Sequence, residues 1–102
     1  ELLYAEGSAP DQVFFVATGR LSLTTARDAD NQRQVADKQA GDLVGESAAL
    51  DGGPRTVSAR ADESTTVLSM ESGEFRGRLA DDAQLCFQVA VRLAAALRGG
   101  AG

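Results

Sequence analysis

Two charged side chains flank a short glycine-rich connection: Glu46 and Arg55, in the stretch GESAALDGGPRT from Gly45 to Thr56. Arginine carries five N–H donors in a planar fork and takes a phosphate in a bidentate, charge-assisted contact. Glutamate repels a phosphate but accepts a hydrogen bond from a hydroxyl beside it, as on a ribose. Between them, Glu46 to Leu50 are helix-compatible, and Asp51-Gly52-Gly53-Pro54 breaks the chain. The spacing predicts one helical turn between Gly45 and Asp51, with its first backbone N–H groups unpaired and partly positive. Such amides suit an anion, and Thr56 adds a hydroxyl. An acid for a sugar hydroxyl, a base for a phosphate and bare amides between them describe a nucleotide with a single compact phosphate. By spacing alone, the same residues also make an ordinary turn with a surface ion pair worth ~1 kcal/mol or less.

Other chemistry is limited by residues the chain lacks. Among 102 residues there is no histidine and one cysteine, Cys86. Zinc sites with Cys/His ligands, Ser-His and Cys-His catalysis, and a disulfide framework are excluded within the chain. We therefore expect no catalytic residue and no metal, and a reducing, cytoplasmic setting. The acids Asp28, Asp30, Asp81 and Asp82 read as solvated loop and cap residues without the spacing of a calcium loop. Fifteen acids against ten bases leave a net charge of −5, and no basic cluster occurs. Binding of nucleic acid or of an anionic membrane by this segment is not expected. No apolar run approaches the roughly 20 residues needed to span a bilayer. The chain opens on Glu1 without methionine and reads as one domain, residues 1–102, excised from a longer protein.

The elements that must position Glu46 and Arg55 are short strands followed by helices. Turn signals recur every roughly 8–12 residues, the rhythm of an all-β sandwich or barrel. LLY (Leu2 to Tyr4) is a short run closed by Glu6-Gly7, and VFFVAT (Val13 to Thr18) reads as a buried strand with Phe14 and Phe15 both in the core. RLSLTT (Arg20 to Thr25) alternates as a half-buried strand. ARDADNQ (Ala26 to Gln32) reads as an exposed hairpin loop, with a return strand near Arg33 to Lys38. AGDLVG (Ala40 to Gly45) is a tight corner, and TVSAR (Thr56 to Arg60) and TTVLSM (Thr65 to Met70) complete the strands. Ser72 is the expected N-cap of a short helix reaching about Leu79. Asp81 or Asp82 caps a second helix, Ala83 to Arg98, ended by Gly99-Gly100. Its stripe of Leu85, Val89, Leu93 and Leu97 faces the sandwich or a second copy of the chain, and Cys86 reads as packing.

GESAALDGGPRTVSARA resembles the phosphate-binding cassette of cyclic nucleotide-binding domains, the family of the catabolite activator protein and of protein kinase A regulatory subunits. The resemblance continues on both sides. EGSAPDQVFFVATGRLSL carries Glu6-Gly7, Asp11, Phe14-Phe15 and Gly19 at matching spacing, QAGDLVGE leads into the cassette, and LSMESGEFRGRLADD follows it. The resemblance implies a mainly β fold, a jelly-roll sandwich (double-stranded β-helix) with short helices and a C-terminal helix. It also implies a regulatory domain that takes cAMP or cGMP as ligand, needs no cofactor, and reorders its terminal helix to bias an attached effector. That effector would be a transcription factor, a transporter or an enzyme. The resemblance implies that Glu46 accepts the ribose 2′-hydroxyl and Arg55 pairs with the cyclic phosphate. Gly45, Ser47, Ala48, Thr56 and Val57 complete the cassette. Thr56 is also the residue type that cGMP-selective members use, so the base stays open. Ser47 and Ala49 stand where the family carries larger apolar residues, and Val57 where it carries alanine. By the same comparison, an N-terminal helix and a C-terminal lid over the base are missing from this stretch, and the terminal helix is a possible homodimer contact. A second reading stays beside this one: a cassette kept as a ligand-free structural or interaction module.

Overall fold

The run VFFVAT is apolar at consecutive positions because its strand is covered on both faces. In the computed structural model, which describes residues 1–28 and 31–98 and side chains outside 26–33 and 96–98, β2 (Gln12–Thr18) is the middle strand of a three-stranded sheet. Phe14 and Val16 point inward to Leu21, Val44 and Ala59. Val13, one step along and so on the opposite face, packs with Ala49, Phe75 and Val89 of the helices. Burying each such side chain stabilises by ~1.5–3 kcal/mol, so one strand anchors two cores.

The order is β1 (Leu2–Tyr4), β2, β3 (Arg20–Asp28), β4 (Asn31–Gln39), β5 (Leu43–Val44), α1 (Glu46–Asp51), β6 (Ser58–Ala61), β7 (Thr66–Glu71), α2 (Ser72–Asp81) and α3 (Ala83–Arg98). Strands β1-β6-β3-β4 form one sheet and β5-β2-β7 the other, and all of the pairings are antiparallel. The expected mainly β jelly-roll sandwich with short helices and a C-terminal helix is the fold found. No helix among the described residues is long and apolar enough to cross a membrane.

Several expectations change at the residue level. Phe15 is 38% exposed rather than core, because the helices cover Val13 and stop short of it, and its cross-strand partner Leu68 is 61% exposed. Ala26 to Asp28 and Asn31 to Gln32 belong to strands, not to a loop, since β3 and β4 pair as far as Asp28 with Asn31. Thr56 and Val57 lie in a bend before β6, not in the strand. Ser72 is not a cap: Glu71 holds that position, while the Ser72 hydroxyl donates to the Pro10 carbonyl at 2.6 Å and its N–H donates to the Asp11 carbonyl at 2.9 Å. That pairing buries Ser72 and fastens α2 to the approach of β2, and α2 runs on to Asp81. Asp82 does cap α3, accepting from the N–H groups of Gln84 at 3.1 Å and Leu85 at 3.0 Å. Along α3, Val89 is buried and Leu93 packs against the same core, but Cys86 is exposed. Ala29, Asp30 and Gly99 to Gly102, and the side chains of Asp28 and Leu97, lie outside the described residues.

Candidate functional site

Gly45 ends the β5 corner at φ 82°, a left-handed conformation that glycine adopts without strain. A Cβ there would overlap the Arg55 guanidinium, so this glycine is needed for both its dihedral and its missing side chain. The expected helical turn follows as α1, Glu46 to Asp51, closed by Gly52 at φ 77° with its N–H on the Ala48 carbonyl at 2.8 Å. Helix geometry leaves the first amides of the turn without intrahelical acceptors.

Arg55 returns to the start of this turn. Its Nη1 donates to the Gly45 carbonyl at 2.8 Å, which ties the two ends of the cassette together. Its Nη2 donates to the Gln12 carbonyl on β2. The backbone of Arg55 is clamped too: the Gly7 N–H donates to its carbonyl at 2.7 Å, and its own N–H donates to the Ser8 carbonyl at 2.9 Å. The Glu6-Gly7-Ser8 turn after β1 therefore sets where the arginine stands. Arg55 is only 3% exposed. Among the described residues no carboxylate pairs with it, and its Nε is buried with no acceptor. A buried cation with N–H groups unspent is an electrostatic demand for an anion.

The seven expected residues come together. Gly45, Glu46, Ser47, Ala48, Arg55, Thr56 and Val57 all line one cavity of about 100 Å³. Ala48 is buried, Glu46 and Val57 are half-buried, and Ser47 and Thr56 are exposed. The Glu46 carboxylate makes no hydrogen bond or ion pair among the described residues, so it is not spent on Arg55. The opposite wall is Leu23 of β3 with Val35 and Lys38 of β4. Sequence reasoning did not pick these three, because a strand's alternation says which face a residue is on but not which element crosses that face.

It also passed over Tyr4, which lines the same cavity from β1. The Tyr4 ring stacks on Phe14, with centroids 6.0 Å apart and planes 20° off parallel, and the Arg55 guanidinium carbon lies over its ring at 4.3 Å from the centroid. Burial pushes the Tyr4 phenol up to about 12; the Arg55 charge pulls the other way, and the nearby Glu46 carboxylate adds to the rise.

A model of the cyclic nucleotide-binding domain matches residues 1–82. The chain belongs to the cyclic nucleotide-binding domain family. Among solved structures, the catabolite activator protein of Thermus thermophilus is similar over 98% of this chain and 47% of its own, at 26% identity and a TM-score of 0.88. FixK2 of Bradyrhizobium japonicum is similar over 96% of this chain and 48% of its own, at 23% identity and a TM-score of 0.82. The regulatory domain of Toxoplasma gondii PKA, solved with cAMP, matches 89% of this chain and 35% of its own, at 23% identity and a TM-score of 0.74. The last two likenesses concern the fold alone. The chain spans about half the length of the first two proteins and about a third of the third. No curated protein matches it. α1 and the loop to Arg55 are the stretch that resembles the family's cassette, and α2 and α3 follow it in the chain. Arg76 of α2 donates to the Ala49 carbonyl at 2.8 Å, and Ala49 itself is fully buried against Phe75 and Val89. The cassette is thus in direct contact with α2 and shares one core with α3.

Proposed function

We propose that this domain is a sensor that binds cAMP or cGMP in the cavity between Glu46 and Arg55 and relays occupancy to an attached effector. The observation that carries this reading is the buried Arg55 guanidinium, unpaired by any described carboxylate, with its Nε facing no acceptor. The cyclic phosphate supplies that acceptor, and the Glu46 carboxylate accepts the ribose 2′-hydroxyl. Gly45, Ser47, Ala48, Thr56 and Val57 form the cradle, and no further cofactor takes part. The segment binds and does not catalyse. Occupancy would pass from α1 to α2 and α3 through Ala49, Phe75, Val89 and the Arg76 hydrogen bond, biasing the effector by population shift. A transcription factor, a transporter or an enzyme in the cytoplasm would serve as that effector, and homodimerisation through α3, which exposes Phe87 and Val91, would suit such a regulator. Calorimetry with cAMP and with cGMP is the test. Arg55→Ala should weaken binding at least about thirtyfold, since it removes a buried charge-assisted contact. Absence of binding by the wild type at millimolar nucleotide would overturn the reading.

Two observations favour the second reading, a ligand-free interaction module. The cavity of about 100 Å³ is below the roughly 300 Å³ of ordinary ligand pockets, and Arg55 already has two carbonyl acceptors. In that case neither nucleotide binds, and Arg55→Ala changes stability alone.

A further inference from the structure

We infer that Tyr4 is a positioning residue for the ligand: its ring stands in for a counter-ion and holds Arg55 ready for the incoming phosphate. The inference rests on the binding function proposed above. The guanidinium of an arginine that is 3% exposed needs something negative nearby when no ligand is present. An internal carboxylate would do this, but it would also compete with the phosphate for the same N–H groups. The aromatic face attracts the cation through its quadrupole and takes none of its hydrogen bonds. Of the five arginine N–H donors, the hydrogen bonds to the Gly45 and Gln12 carbonyls use one on each terminal nitrogen. The buried Nε–H and one N–H on each terminal nitrogen are left over.

Tyr4 is suited to this by where it is anchored. It packs against the sandwich core beside Phe14, which fixes the ring. The strand that carries it runs into the Gly7–Ser8 turn that grips the Arg55 backbone. Ring and arginine are therefore placed by one continuous segment. The ring also borders the cavity, so the contact is at the site and not remote from it. Because Tyr4 is the only tyrosine and the chain has no tryptophan, its emission reports on this contact directly.

The test is nucleotide binding by the wild type, Tyr4→Phe and Tyr4→Leu, by calorimetry with cAMP and cGMP, alongside melting curves. Tyr4→Phe keeps the ring and should bind within about twofold of wild type, while Tyr4→Leu keeps the apolar volume but loses the π face and should bind about tenfold more weakly. Wild-type emission should change on saturation with nucleotide, a signature that holds whether or not Tyr4→Leu folds. Tyr4→Leu binding as well as or better than wild type overturns the inference, the second outcome marking the ring as an obstruction. Equal losses in Tyr4→Phe and Tyr4→Leu overturn it too, because the hydroxyl would then be the active part. Unchanged wild-type emission on saturation does the same. A wild type that binds neither nucleotide overturns the function and this inference together, whereas normal wild-type binding with an insensitive Tyr4 overturns this inference alone.

Discussion

Arg55 and Glu46 are nine chain positions apart, and both are charged, yet they do not neutralise each other. Arg55 spends two of its five N–H donors on backbone carbonyls, and Glu46 is left to the cavity. On the proposed function, this separation keeps both chemistries available, one for a phosphate and one for a hydroxyl. Tyr4 adds a second electrostatic consequence. Its phenol is held at about 12 against an ordinary 10.0, chiefly by burial. A raised pKa means that the folded state favours the neutral phenol. The stability this gives is fully present below pH 10.0 and is lost as pH rises toward about 12. Absorbance titration of this single tyrosine should show a midpoint of about 12 in the native protein and 10.0 in denaturant. Denaturation curves should show stability falling across that window. An unshifted native midpoint would place the ring in solvent, away from Phe14 and Arg55.

At the scale of elements, the cassette works because its turn is short at both ends and packed in the middle. Gly45 and Gly52, both left-handed, bracket six residues, and the small Ala49 lets α1 approach β2, α2 and α3 closely. A larger side chain there would stand the turn off from Phe75 and Val89. The helices that receive the cassette are held by specific devices of their own: Ser72 on the Pro10 carbonyl, and Asp82 on two amides of α3. Asp82→Ala removes both capping bonds and should lower stability by about 1 kcal/mol in urea denaturation. Nucleotide affinity in that variant should be nearly unchanged, because no capping atom borders the cavity. A stability equal to wild type would mean that α3 is held by its Val89 and Leu93 contacts alone.

At the scale of the whole molecule, two cores share β2, and the cavity sits beside the first while the helices sit on the second. Ligand binding to the native state alone stabilises by mass action, about 2.7 kcal/mol at a hundred times Kd. For a domain of this size that corresponds to roughly 10 °C or more in Tm, measurable in a melting series with cAMP or cGMP. A flat series at saturating nucleotide would contradict preferential binding to the folded domain. Much of this arrangement was legible in the residues. The alternation in RLSLTT, the apolar run VFFVAT, the late helices and the glycine-bounded turn are local patterns, and backbone sterics and burial act on them locally. The pairing of Glu46 with Arg55 across one turn was legible for the same reason, since few residues separate them. What the sequence could not say is what meets that turn from far along the chain. Phe15 has the same residue type as Phe14 but is partly exposed, because cover depends on where α2 and α3 end. Tyr4 reads as one apolar residue among three, and only the antiparallel return of the chain sets it against Arg55, about fifty positions away. The sequence by itself determined the fold class and the charged pair of the cassette. The tertiary structure decided which ring, carbonyls and strands surround that arginine, because contacts between distant segments depend on how sheets and helices pack, and no local pattern encodes that.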